Sequence, residues 1–166
     1  ILGSLLGAIT LTPYVYWRKM HAIHHAGSGN LDFRGIGDIE VLTIEEYQAK
    51  DWKGKLLYRF YRHPFVMFVL GPPFVFFILQ RIPVKTKKSW KRERSSVHFT
   101  NVSIVIMVLL LSWLMGLSNF LPIWLTMMFL STMAGVWLFY VQHQFEDTYW
   151  RRKSNWDYKL AALEGS

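Results

Sequence analysis

The sequence predicts an all-α integral membrane protein, and three observations carry that prediction. Residues 101–142 form a run of 42 residues without one charged side chain. The charges elsewhere are bunched, with seven Lys/Arg and a single Glu within residues 81–94. The composition matches, at 52% hydrophobic and 17% aromatic residues against 18% charged, with a formal net charge of +8. Such segregation belongs to a chain divided between hydrocarbon and water. The same figures exclude a disordered tail, and the absence of cysteine excludes a disulfide-stapled secreted domain and a Cys-ligated zinc or iron-sulfur protein.

Residues 1–17 read as the end of a transmembrane helix. The apolar stretch 1–12 falls about eight residues short of a crossing, so Ile1 is expected mid-helix. Thr12-Pro13 either caps a new helix or kinks the old one. Tyr14, Tyr16 and Trp17, then Arg18 and Lys19, form the aromatic belt and charge expected where a helix leaves the membrane. Residues 18–62 are polar, with helix predicted to about His25, where Gly27 and Gly29 supply stop signals. Residues 30–37 have loop chemistry. Thr43 suits a helix N-cap with Glu46 at the capping-box position, predicting a short amphipathic helix from Ile44 towards Ala49.

Residues 65–79 are apolar or small but are interrupted by Gly71-Pro72-Pro73. An unbroken helix of that length reaches about 22 Å, short of a hydrocarbon core of roughly 30 Å. Charge parity settles its expected course. Residues 18–62 hold eight Lys/Arg, residues 81–94 seven and the tail from Arg151 four, whereas the turn at 116–122 holds none. The positive-inside rule places the three basic segments on the cytoplasmic face. Residues 65–79 are then expected to enter and leave by one face, as a re-entrant or interfacial helix pair broken at the Pro-Pro.

The predicted crossings are 99–117 and 121–141, a tight helical hairpin with Trp113, Trp124 and Trp137 facing lipid or packing. Residues 142–166 return to the cytoplasm. The basic run 85–94 reads as a topology determinant or an anionic-lipid contact, not as a nucleic-acid site, because both its neighbours are apolar membrane segments. With no visible signal peptide and no terminal feature, residues 1–166 are expected to be the central part of one longer membrane domain.

Three of the six histidines stand in His21-Ala22-Ile23-His24-His25. On a helix, positions i, i+3 and i+4 share a face, so the three imidazoles can converge on a metal. Neutral imidazole suits iron, copper, zinc or nickel. The alternative is an interfacial cluster that only snorkels or binds headgroups. His143 ends the last crossing on the same predicted side, either joining that site or serving as a helix-dipole residue. His63, which precedes Pro64, and His98 carry no assigned role.

Other motifs are absent or fail. There is no His-Glu-x-x-His and no Glu-x-x-His. Gly35-Ile36-Gly37-Asp38-Ile39-Glu40 mimics a dinucleotide loop but ends in Glu where the third Gly belongs. Asn101-Val102-Ser103 fits a glycosylation acceptor but lies too close to the membrane, on the predicted cytoplasmic side.

The tract Trp17-Arg18-Lys19-Met20-His21-Ala22-Ile23-His24-His25-Ala26-Gly27-Ser28-Gly29-Asn30-Leu31-Asp32, followed by Arg34-Gly35 and Gly37-Asp38, resembles the second histidine box and following loop of membrane fatty acid desaturases. A second tract, Val136-Trp137-Leu138-Phe139-Tyr140-Val141-Gln142-His143-Gln144-Phe145-Glu146-Asp147-Thr148-Tyr149-Trp150, resembles the segment after their last membrane hairpin, particularly in bacterial members related to delta-12 (omega-6) desaturases.

The resemblance implies a non-haem di-iron centre held by boxes of the form HxxxH, HxxHH and HxxHH. Only the middle box is present, so the first is expected upstream of Ile1 and the third downstream of Ser166, and these residues alone are expected to be inactive. By the same resemblance His21, His24 and His25 inherit iron ligation and the catalytic role. His143 resembles an extra histidine that some acyl-CoA desaturases place at the end of their last crossing, although those enzymes carry Asn where this chain has Phe139.

The implied reaction places a cis double bond in a fatty acyl chain. It uses one oxygen molecule and two electrons from ferredoxin or cytochrome b5, and releases water. The implied location is the bacterial inner membrane. Imidazole survives an oxidant that would attack thiolate, which agrees with the lack of cysteine. Trp17 and Phe139 are candidates for the wall of a hydrophobic substrate tunnel, with interface packing as the alternative for both. The rival readings are another histidine-box oxygenase, such as an alkane or carotenoid hydroxylase, and a non-catalytic polytopic protein.

Overall fold

The computed structural model describes residues 2–84 and 86–165; Ile1, Ser166 and Lys85, the first lysine of the basic run, lie outside the described residues. Eight α-helices follow one another among the described residues: α1 (Leu2–Ile9), α2 (Tyr14–Ala26), α3 (Ile44–Gln48), α4 (Trp52–Tyr61), α5 (Gly71–Phe77), α6 (Lys91–Met115), α7 (Leu117–His143) and α8 (Tyr158–Glu164). A π-helical turn, Val66–Leu70, leads into α5. There is no strand among the described residues, the one β-type pairing being a parallel bridge between Asn30 and Arg151. The protein is thus an all-α membrane protein. Helices α6 and α7 are long and apolar enough to cross a bilayer, and α4 with Val66–Arg81 forms a further apolar pair bent by 56°.

The helices fall into two units. The first runs to Lys19 and resumes over Leu70–Gly135; the second comprises Met20–Val69 and the chain from Val136 onward. In the first unit, α1 packs against α6. The chain reverses after α1 at Leu11, which is buried and has φ 56°. The Arg81 guanidinium donates to the Leu11 carbonyl and, at 3.1 Å, to Asn101 Oδ1, while Asn101 Nδ2 donates back to the Arg81 carbonyl at 2.8 Å. This reciprocal clamp satisfies polar groups that would otherwise be stranded in apolar surroundings. The first turn of α2 is held by Ser96 Oγ, which accepts from the Val15 N–H, and by Tyr16, whose hydroxyl donates to the Val84 carbonyl.

Helices α6 and α7 turn most of their surface outward. Leu109, Trp113, Ile123 and Leu130 are each more than half exposed. Helices apolar all round with so little of their surface covered need hydrocarbon as solvent. They are joined by Gly116 alone, whose φ of 82° and ψ of 134° only glycine adopts readily.

The second unit is organised by charge. Arg34 donates to both carboxylate oxygens of Glu46 at 2.7–2.8 Å and to the Val41 carbonyl. Arg152 bridges Asp32 at 2.8 Å and Glu46 at 2.7 Å. The loop after α2 is thereby tied to α3 and to the C-terminal segment. Thr43 caps α3 in the expected capping box. Gly29, at φ 71°, lies beside the Asn30–Arg151 bridge, where a Cβ would stand 2.6 Å from the Tyr149 carbonyl.

Two sequence expectations are corrected. The break expected at Pro72-Pro73 lies instead at residues 62–65, between α4 and the π turn. Both prolines stand in the first turn of α5, directly after the π-helical turn Val66–Leu70, so the helix changes type there instead of ending. Pro64 disfavours helix at His63, and that is where the helix ends. The turn expected over 116–122 is confined to Gly116, with Pro122 inside α7. Helix α6 begins at Lys91, so the helix that holds the expected crossing 99–117 also takes in part of the basic run. Helices α4 and α8 were not foreseen; each is announced by an aspartate N-cap, Asp51 and Asp157.

Gly116→Ala is expected to cost about 1–3 kcal/mol because its backbone conformation excludes a side chain. Gly135→Ala, inside α7 with nothing within 4 Å of a new Cβ, is expected to be neutral or stabilising by up to about 1 kcal/mol. Thermal unfolding in detergent followed by helical circular dichroism separates the two; equal shifts would contradict the assignment of the turn.

The hydrogen bond from Arg34, then that from the Thr43 N–H, holds the Glu46 carboxyl far below the usual carboxylate range. A depressed folded-state pKa stabilises above the unfolded value of about 4.3 and loses that contribution as pH falls. Glu46→Gln is therefore expected to lower the melting midpoint at pH 7. Its difference from the parent should shrink in strong acid, where a constant difference across pH would refute the charge network.

Candidate metal centre

The last two turns of α2 carry His21, His24 and His25 on one face, as the spacing requires. Their ring centroids lie 6.2 Å (His21–His24), 4.4 Å (His21–His25) and 5.5 Å (His24–His25) apart. Helix α7 ends on His143, whose ring is 4.8 Å from His24 and 5.8 Å from His25. The structure thus gathers the four imidazoles singled out in the sequence. His63 and His98 are exposed and take no part. Phe139, one turn before His143, lies 5.4 Å from His24 and 4.5 Å from His143, so this tunnel candidate borders the cluster. Trp17, the other one, belongs to the first unit, where it stacks on Tyr14 at 6.5 Å.

His24 and His143 are only 7% and 8% exposed. The buried His24 Nε2 and His143 Nδ1 have no hydrogen-bond partner. An imidazole nitrogen left dry costs about 1–3 kcal/mol, and such groups in native proteins mark a bound ion, a water or a catalytic role. Both histidines line a small, partly open cavity of about 20 Å³ that Asp38, Arg34, Asn30 and Phe139 also border. That is room for one water-sized occupant, which needs roughly 10–15 Å³. A wider open hollow of about 560 Å³ lies against His21, His25, His143 and Phe145. His143 lines both spaces.

The Nε2 atoms of His21 and His25 stand 3.1 Å apart. This separation fits a shared proton, and it equally fits two ligands of one ion, because metal–nitrogen bonds of about 2.1 Å at near-right angles place their nitrogens about 3 Å apart. Among the described residues, no three His, Asp or Glu side chains close around one point as a finished ligand set. Burial pushes the His24 imidazole below its ordinary pKa, partly offset by the Asp38 carboxylate. Burial, followed by repulsion from His25, lowers His21. Both effects favour the neutral form that binds metals. The partnerless buried nitrogens, the ion-sized cavity and the all-imidazole donor set together fit a non-haem metal.

Two further residues hold this arrangement together, and neither was singled out in the sequence. Asp38 accepts from the Gly35 N–H through both carboxylate oxygens at 2.9 and 3.0 Å. Gly37, at φ 74°, then brings the backbone so near α2 that a Cβ would lie 3.5 Å from that of His24. The Gly-x-Gly-Asp run that fails as a dinucleotide loop is thus a carboxylate-closed turn. Gln144 donates to the Ile39 carbonyl at 2.9 Å and accepts from Arg62 at 2.6 Å, tying the end of α7 to this loop and to the end of α4. Its adjacency to His143 was the available signal.

The fatty acid desaturase family matches residues 1–160. Over all its 166 residues the chain is 47% identical to a protein of Bacillus subtilis (strain 168) named fatty acid desaturase, and it covers 47% of that relative. It therefore spans about half the length of the curated relative it matches. No solved structure matches. The chain belongs to the fatty acid desaturase family.

Proposed function

We propose that this chain forms part of the iron site of a membrane oxidoreductase that inserts a cis double bond into a fatty acyl chain at the expense of dioxygen. The observation that carries the reading is the meeting of four imidazoles from α2 and α7, two of them with dry, partnerless nitrogens, in a chain that the desaturase family matches almost throughout. His21, His24, His25 and His143 would hold the iron. When bound, iron supplies the dioxygen chemistry that removal of hydrogen from an unactivated methylene requires. His21, His24 and His25 are three of the eight histidines that the family's three boxes contribute, with His143 outside the boxes, so the remaining ligands of a di-iron pair come from outside these residues.

The chain's own groups have plain tasks. Burial keeps His24 in its neutral, ligating form. Asp38 and Gly37 shape the loop against α2. Gln144 and Arg62 position the helix end that carries His143. Phe139 supplies an apolar wall that excludes water from the cluster and suits a methylene chain. Electrons come from a ferredoxin or cytochrome b5 type donor. The distribution of Lys and Arg supports a cytoplasmic histidine cluster and, in a bacterium, an inner-membrane location. By the same parity, residues 65–79 return to the face they entered.

The test exchanges these 166 residues for their counterpart in the Bacillus subtilis relative and expresses the hybrid in a host that makes no unsaturated acyl chains. The hybrid is expected to yield unsaturated product, whereas the 166 residues alone yield none. His21→Ala, His24→Ala and His25→Ala are each expected to remove product and lower bound iron, since no nearby thiolate or box carboxylate can substitute. His63→Ala and His98→Ala are expected to keep most activity. His143→Ala groups with the box variants if it ligates iron, and otherwise costs no more than a surface change, roughly 0.5 kcal/mol of stability. Full activity and iron in all three box variants would refute the proposal. Hydroxylated rather than unsaturated product would move it to the hydroxylases.

A further inference from the structure

Helix α4 has one face engaged and one bare. On the engaged face, the Tyr58 hydroxyl accepts from the Leu42 N–H and the Tyr61 hydroxyl accepts from the Glu40 N–H. The helix is therefore firmly seated, and its exposure is not that of a detached segment. On the bare face Trp52, Leu56 and Phe60 follow one another at i, i+4 and i+8, being 70%, 60% and 60% exposed, with Leu57 beside them at 69%. A stripe of four such large apolar side chains is too apolar for water contact alone.

Its charges and its setting indicate what covers it. Lys50, Lys53, Lys55 and Arg59 surround the stripe, and the one acid among residues 50–61, Asp51, is occupied as the N-cap that accepts from the Gly54 N–H. Four residues further on the chain enters the apolar stretch Val66–Arg81, turned by 56° from α4. Were α4 the upper part of a crossing, its three cations would lie in hydrocarbon at about 2.5–3.5 kcal/mol apiece at the bilayer centre. A basic helix with an aromatic and aliphatic stripe, bent away from a neighbouring apolar helix, matches the headgroup boundary instead, where long Lys stems lie along the surface and their ammonium groups reach phosphate.

We propose that α4 is a membrane-surface helix, its Trp52–Leu56–Phe60 stripe sunk at the headgroup–acyl boundary of a bilayer containing anionic lipid, with Lys53 and Lys55 at the phosphates. The inference does not depend on the desaturase reading. It bears on the imidazole cluster all the same, because Arg62, one residue beyond α4, holds Gln144 beside His143, and Tyr58 and Tyr61 hold the loop that follows Asp38. Lipid contact along α4 would then steady the loop at the site.

The chain has no cysteine, so single labels can be placed without background. Trp52→Cys, Leu56→Cys and Phe60→Cys, with exposed Glu45→Cys on α3 as the aqueous control, would each carry a nitroxide in the full chain. The labelled chains are reconstituted in phosphatidylcholine vesicles with or without phosphatidylglycerol. Collision with dioxygen, which partitions into lipid, is expected to exceed collision with a nickel chelate at 52, 56 and 60, with the reverse at 45. The excess should grow with phosphatidylglycerol and lose that growth in Lys53→Gln/Lys55→Gln. Nickel access at 52, 56 and 60 equal to that at 45 would overturn the proposal. So would shielding from both reagents, which indicates a second copy or a protein partner. A depth that changes steadily from 52 through 56 to 60, instead of being equal at all three, would mean a crossing, and would overturn it too.

Discussion

Everything near the imidazole cluster depends on one uncompensated contact, the edge-to-face meeting of His24 and His143, 4.8 Å apart, each with a buried nitrogen that finds no partner. Protein interiors rarely leave polar atoms in that condition without a reason. Here the surroundings raise the cost instead of relieving it, since Phe139 closes one side and burial disfavours protonation of His24. Two helices distant in sequence are thus brought together around a space of ion size. Under the proposed function, a cation that met both nitrogens would relieve that cost.

Holding those nitrogens in place falls to polar contacts that do not themselves reach the cavity centre. Gln144 joins the end of α7 to the Ile39 carbonyl and to Arg62. Arg34, Glu46, Arg152 and Asp32 fasten the loop that follows the histidines to the C-terminal segment. These contacts join residues up to 120 apart in sequence. Their work is positioning. A ligand side chain with free rotation would leave the donor set spread over many arrangements, and loss of that freedom is what such supporting shells provide.

Much of this was legible because it follows from period and charge. The i, i+3, i+4 spacing of His21, His24 and His25 left no choice about their common face, and bunched Lys and Arg marked which stretches stay in water. The arrival of His143 beside them could be expected from parity of crossings, though not its contact with His24. The Pro-Pro break was misread because the chain meets Pro72 and Pro73 with a change from π- to α-helical winding instead of an end. Gly116 turned the chain in one residue where seven seemed available. Asp38, Gln144 and Arg62 went unnoticed because their importance lies in partners brought near by the fold, which no local pattern records.

The central claim is that these imidazoles are iron ligands, and X-ray absorption at the iron edge tests it most directly. In the iron-loaded hybrid protein the account predicts a nitrogen and oxygen first shell with the outer-shell scattering of imidazole rings, weakened by His24→Ala and again by His143→Ala. Iron without imidazole scattering, or a spectrum unmoved by both substitutions, would contradict it.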